Sequence, residues 1–237
     1  MFLEKPVCLG PLEVLQSGPL KKESGGAQPL NLVLFHGYGA NCHDLYPLHR
    51  EVRLRGEVQW TFPNGPLEIE IAPGFSGRAW FPIDVQEHER AQRLGQQVDY
   101  SQKSSARMHS ARDKALSMLK ELNCPLDRLV LGGFSQGAML AMELTLSLPQ
   151  PPLGVVLLSG TLVDQPNWSG KAKHFPGLRF FQSHGKRDPI LPHEGAQKLE
   201  GVLKASGWEG ELVSFNGGHE IPFTVLQSLS DFLQSLS

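Results

Sequence analysis

Arg128-Leu129-Val130-Leu131-Gly132-Gly133-Phe134-Ser135-Gln136-Gly137-Ala138 runs from an apolar segment straight into one rich in small residues. The apolar part shows no polar alternation, which suits a strand buried on both faces, as in a parallel sheet. Gly133-Phe134-Ser135-Gln136-Gly137 is a G-x-S-x-G, the pattern of a serine held at a sharp strand-to-helix bend. Glycines on either side leave room where any side chain would strike the adjoining strand and helix. The plainer reading is a β-α turn with a helix-capping serine, but a cap needs no flanking glycines.

Similar segments lie on both sides of this one. Strands are expected at residues 12–16, 31–35, 59–62, 128–134, 153–158, 178–182 and 211–215, and a polar, glycine-rich turn at 21–29. Helices are expected at 101–122, ended by Pro125, and at 136–148, 193–205 and 222–236. This alternation implies β-α-β units, hence an α/β fold with a mainly parallel central sheet and helices on both faces. One domain over residues 1–237 is expected, with 1–29 forming an N-terminal strand and loop region. In such a sheet the active site lies beyond the carboxyl ends of the strands.

Composition narrows the function. The 237 residues carry a net charge of −2, too balanced for a nucleic-acid footprint or a polybasic membrane patch. With 40% apolar and 19% charged residues the chain is neither disordered nor membrane-spanning, so no stable membrane insertion is expected. Cys8, Cys42 and Cys124 show no C-x-x-C spacing, so neither a disulfide framework nor a metal site is expected. Gly37-x-Gly39 lacks the third glycine of a dinucleotide fingerprint, and no cofactor is expected. The start of the chain has no apolar core of a secretory signal, which points to a cytoplasmic protein.

Residues 63–100 sustain neither period and read as a long loop, a feature usually tied to function. It carries Leu67, Ile69, Ile71, Phe75, Trp80, Phe81 and Ile83. These groups either pack onto the domain as a flap over the active site or line an apolar pocket in it.

A serine hydroxyl attacks only if a base takes its proton. Downstream histidines are His174, His184, His193 and His219. His219, in the glycine loop Asn216-Gly217-Gly218-His219-Glu220, fits the order Ser, acid, His. His184 is its rival but precedes the acid, and His193 more naturally begins a helix. Asp188 lies between Arg187 and Pro189 in a loop stiffened by Pro189 and Pro192, which suits a residue that fixes a histidine tautomer. Asp164 is the alternative acid. Negative charge on the attacked carbonyl needs two waiting N–H groups. Gln136, after the nucleophile, and Tyr38, in His36-Gly37-Tyr38-Gly39 after an early strand, are placed to supply them. The base must be neutral to accept a proton, and an ordinary histidine titrates near ~6.5, so activity is expected to fall on acidification.

Phe35-His36-Gly37-Tyr38-Gly39, Arg78-Ala79-Trp80-Phe81, Gly132 to Ala138, the His184 to Pro192 segment and Gly218-His219-Glu220 together resemble α/β-hydrolases. They resemble in particular the phospholipase/carboxylesterase group, which includes acyl-protein thioesterases and lysophospholipases. The resemblance implies the α/β-hydrolase fold, a Ser135-Asp188-His219 triad, oxyanion donors at Tyr38 and Gln136, and an acyl channel lined partly by the Trp80 segment. Trp80, Phe81, Ile83 and Leu191 are the expected substrate-binding residues. Two features depart from the group. Pro82 and Ile83 precede Asp84 where an aspartate commonly follows the aromatic pair, and Tyr38 stands where a leucine or small residue is usual. The expected function is a serine carboxylesterase acting on a small-molecule ester, with thioesters and lysophospholipids as further candidates. A non-catalytic binding protein on the same scaffold, or a hydrolase of another bond, are the alternatives.

Overall fold

The computed structural model describes residues 5–18 and 29–236. Among them the elements are, in chain order, β1 (Val7–Leu9), β2 (Leu12–Ser17), β3 (Leu30–Phe35), α1 (Leu48–Glu51), β4 (Val58–Pro63), β5 (Leu67–Ala72), β6 (Phe75–Ala79), α2 (Val85–Arg93), α3 (His109–Leu122), β7 (Leu129–Phe134), α4 (Gln136–Thr145), β8 (Gly154–Leu158), α5 (Gln165–Ala172), β9 (Arg179–Gly185), α6 (His193–Ala205), β10 (Glu209–Phe215) and α7 (Phe223–Ser235). The main sheet has the order β1-β2-β4-β3-β7-β8-β9-β10. From β4 to β10 every neighbouring pair is parallel, and only β1 with β2 and β2 with β4 run antiparallel.

The uninterrupted apolar character of the central strands follows from two cores. Val33, Phe35, Leu131, Val155 and Leu157 enter one, with α3, α4, α5 and α6 packed against them. Leu32, Leu34, Val130, Val156 and Leu158 enter the other, beneath α1 and α7. Alternate residues point to opposite faces, so a strand with helices on both sides has no solvent-facing position left for a polar group. The parallel register then brings the residues after β3, β7, β9 and β10 to one edge of the sheet. His36, Ser135, Asp188 and His219 all follow these strands.

The reading of residues 63–100 as a structureless loop is corrected by the structure. β5 and β6 form an antiparallel hairpin outside the main sheet, closed at Gly74 with φ 78°. Leu67-Glu68-Ile69-Glu70-Ile71 does alternate, but most of its side chains stay exposed, so no buried face marks it as a strand. The hairpin instead leans on the loop after β3, through Gly39 N–H to Arg78 O at 2.9 Å and Arg78 N–H to Ala40 O at 2.8 Å. α2 is a short charged helix begun by Asp84, whose Oδ1 accepts the Glu87 N–H at 3.0 Å. β1, α1 and α5 were also not anticipated. Helix 101–122 starts later than its pattern implied, with residues 105–108 as a 3-10 turn capped by Ser104. Apart from Pro29, the turn expected at 21–29 lies outside the described residues.

Candidate active site

Ser135 sits between β7 and α4 with φ 55° and ψ −118°, a backbone conformation costly for any residue but glycine. Its surroundings enforce the bend. The Ser135 N–H donates to Leu158 O at 2.8 Å, and Ser135 O accepts from the N–H groups of Ala138 at 3.0 Å and Met139 at 3.2 Å. A Cβ on Gly137 would stand 1.9 Å from Phe35 O, and one on Gly133 would stand 2.4 Å from the Gly137 carbonyl carbon. Both glycines are therefore required by close approach, and Ser135 takes the strain.

The loops after β9 and β10 are joined by Lys186 N–H to Phe215 O at 2.9 Å and Arg187 N–H to Gly217 O at 3.0 Å. This joint sets Asp188 against His219, with Nδ1 at 2.6 Å from Oδ2. Oδ1 accepts the backbone N–H groups of Ile190 at 2.8 Å and Leu191 at 3.0 Å. Burial alone would raise the proton affinity of Asp188. The donors from His184, His219 and Leu191 outweigh it and hold the carboxyl well below the usual carboxylate range. With a carboxylate on Nδ1, His219 carries its proton there and keeps Nε2 as the free acceptor. The Phe134 ring packs on the imidazole at 4.8 Å between centroids.

The other candidates lie elsewhere. Asp164 begins α5, and its Oδ2 accepts the Ser105 N–H at 2.9 Å. His193 opens α6 and pairs with Ser214 Oγ at 2.8 Å, and His174 is exposed. His184 is fully buried, with Nε2 at 3.2 Å from Asp188 Oδ2 and 3.1 Å from Leu191 O. It is enclosed behind the acid and presents no nitrogen to Ser135.

The loop after β3 is held by a different histidine. Gly65 N–H donates to His36 Nε2 at 2.9 Å, so the imidazole proton is on Nδ1, which donates to Gly37 O at 2.7 Å. A trans peptide is planar, with N–H opposed to C=O. Pinning Gly37 O therefore directs the Tyr38 N–H the other way. Tyr38 lines the same cavity as Ser135 and Gln136. The Gln136 N–H is the first of α4 and has no acceptor within the helix. The Gln136 side chain bonds both to Trp80 N–H at 2.9 Å and to Phe81 O at 2.7 Å, fastening the segment after β6 to the bend.

Trp80 requires a correction. Its side chain is not at the cavity wall. It is buried edge-on against Phe35, and Nε1–H donates to His36 O at 2.8 Å. It supports the loop after β3 from behind. Phe81, Ile83 and Leu191 do line the cavity, which measures about 380 Å³ and opens on Ser135 and His219. Met139, Ile190, His88 and Tyr100 complete the wall and were not anticipated. His88 Nε2 and Tyr100 Oη lie 2.6 Å apart, a polar pair in an otherwise apolar wall. Burial pushes the Tyr100 phenol up to about 12 and lowers His88. His88 was concealed in a charged stretch. A larger open groove of about 750 Å³ along α7 holds none of these groups. Among the described residues, no group of three or more His, Cys, Asp or Glu side chains is placed to bind a metal, and no helix is long and apolar enough to cross a membrane.

Residues 22–237 match the family model described as phospholipase/carboxylesterase. An acyl-protein thioesterase 1 of Candida albicans is 28% identical over 195 residues, covering 78% of this chain and 82% of its own. One from Emericella nidulans is 28% identical over 220 residues, covering 85% and 88%. Among solved structures, esterase PE8 superposes with a TM-score of 0.76 at 26% identity, covering 94% of this chain and 99% of its own. A Bacillus cereus carboxylesterase at 17% identity shares the fold, with a TM-score of 0.69 over 96% and 95% of the two chains.

Proposed function

The chain belongs to the phospholipase/carboxylesterase family, and from that premise we propose that it cleaves carboxylic esters and thioesters of medium-length acyl groups through an acyl-enzyme on Ser135. It is a hydrolase of the esterase and thioesterase type. The observation that carries the finer reading is the convergence of Ser135, Asp188-bound His219 and two free backbone N–H groups on one apolar cavity.

In this reading His219 Nε2 takes the Ser135 proton as Oγ attacks the acyl carbonyl. The tetrahedral oxygen accepts the N–H groups of Tyr38 and Gln136, which are fixed before substrate arrives, so little reorganisation is needed as charge develops. Asp188 keeps the imidazole in one tautomer and faces the imidazolium that forms. His219 then protonates the departing alcohol or thiol. Water, activated by the same nitrogen, releases the acid. The apolar wall of Phe81, Ile83, Met139 and Leu191 suits the acyl chain, which gains about 0.8 kcal/mol per buried methylene. The names of the fungal relatives favour thioesters among the possible substrates.

A panel of p-nitrophenyl esters and S-acyl thioesters from two to sixteen carbons tests this reading, with Ser135→Ala beside the unaltered protein. Ser135→Ala is expected to lose up to ~10⁶ in kcat and all covalent labelling by a fluorophosphonate. Retained turnover by Ser135→Ala would remove Ser135 as nucleophile. A steady preference for acetate over longer chains would remove the acyl-site assignment.

A further inference from the structure

Asp188 Oδ2 has two imidazoles on it, not one. His219 Nδ1 approaches to 2.6 Å from the open side and His184 Nε2 to 3.2 Å from the buried side. His184 Nε2 faces only acceptors, the second being Leu191 O at 3.1 Å, so this nitrogen must carry a proton. Nδ1 of His184 is enclosed with no partner, and a proton there would be an unmet buried donor. The ring therefore carries its proton on Nε2, where it is shared between Leu191 O and the acid. With the N–H groups of Ile190 and Leu191 on Oδ1 and His219 Nδ1 on Oδ2, the carboxylate has three donors, and His184 Nε2–H, shared with Leu191 O, stands beside them at 3.2 Å from Oδ2.

We propose that His184 is a positioning residue for the triad: its Nε2–H clamps Asp188 from behind and restrains how strongly the carboxylate draws on the proton of His219. The inference rests on the Ser135-His219-Asp188 reading given above. Each hydrogen bond to the carboxylate stabilises its charged form and lowers its proton affinity, so with His184 beside it Oδ2 draws less strongly on the proton of His219. The clamp also joins β9 to the turn at Leu191 that sets the carboxylate angle. Without it, Oδ2 answers to His219 only, the imidazolium is held more tightly, and the acid is free to rotate. The other titratable groups nearby are Lys186 and Arg187 in the acid's own loop, Glu220 beside His219, and His193 on α6, whose ring centroid lies 5.9 Å from that of His184.

The test compares His184→Leu, which fills the space without a donor, with His184→Gln, whose amide nitrogen restores one near the Nε2 position. Full pH profiles of kcat and kcat/KM are measured on an ester substrate. His184→Leu is expected to lose roughly 10²-fold in kcat, as for a small misplacement of a catalytic group. The acid limb of its kcat/KM profile moves up by about one pH unit, a tenfold rise in proton affinity. His184→Gln recovers most of both. A merely structural role would lower kcat and leave the limb in place, and that result overturns the proposal. Should His184→Leu fail to fold, nitrogen-15 histidine spectra of the unaltered protein decide. A proton on Nε2 of His184, protected from exchange, supports the proposal, and a proton on Nδ1 overturns it. Turnover by Ser135→Ala would bring down the parent reading. An inactive Ser135→Ala together with an unmoved His184→Leu profile would bring down this inference alone.

Discussion

His36 should make the protein acid-labile in a defined window. The residue is 1% exposed, and burial lowers its imidazole to about 4 against an ordinary value of 6.5. Its surroundings demand the neutral form, because Nε2 accepts the Gly65 N–H and an imidazolium has no lone pair to offer. The unfolded chain binds a proton at this residue below pH ~6.5, while the folded chain refuses it until pH ~4. Between these limits the unfolded state holds more protons, so stability falls as pH falls. The stabilising contribution is complete above pH ~6.5 and gone at pH ~4. The gap between about 4 and the ordinary 6.5, at 1.36 kcal/mol per pH unit, amounts to about 3 kcal/mol. That is a large share of the ~5–15 kcal/mol that holds a typical domain. Urea unfolding of the unaltered protein and of His36→Gln from pH 7.5 to 4 measures it. Glutamine does not titrate, so the difference between the two stabilities should shrink by about 3 kcal/mol across this range. An NMR titration of His36 provides the direct value. Parallel stability curves, or a midpoint above pH 6, would refute the reasoning.

Trp80→Phe keeps an aromatic ring against Phe35 but removes the donor to His36 O, leaving a buried carbonyl at a cost of ~1–3 kcal/mol. Its kcat should fall by a similar factor at every acyl length in the ester panel, since the indole supports the loop and does not touch substrate. A loss confined to long chains would restore it to the cavity wall. His88 lies between the main cavity and a smaller one of about 70 Å³ that it lines together with Ile190. His88→Ala should join the two and move the chain-length optimum of kcat/KM upward, each added methylene gaining ~0.8 kcal/mol or about fourfold. An unchanged optimum in the same panel would place the end of the acyl site elsewhere.

The parts of the site legible in the sequence are those that make a local demand on the chain. Ser135 announced itself because a bend at φ 55° between a buried strand and a helix needs Gly133 and Gly137 within four residues. Asp188 and His219 were reached by the order of elements, since a parallel sheet delivers the loops after β9 and β10 to the same edge as the bend. What stayed hidden depends on contacts across the fold. Trp80 carries the signature of a pocket residue, large and apolar in a long segment, yet its one polar atom found His36 O, and that bond turned the ring inward. The β5-β6 hairpin is harder to read because only Leu67 to Ile71 alternates, and β6, Phe75-Ser76-Gly77-Arg78-Ala79, carries no matching apolar face. His184 is the sharpest case. Its place at the end of a buried strand before a glycine marks it as a rival base, and only the distances at its nitrogens show that it packs against Asp188 and Leu191 O. One nitrogen meets Asp188 and a carbonyl, the other meets nothing, so the ring faces the carboxylate and makes no contact with Ser135. Residue type and spacing could identify an imidazole near the acid, whereas the side of the carboxylate it occupies is a property of the tertiary packing.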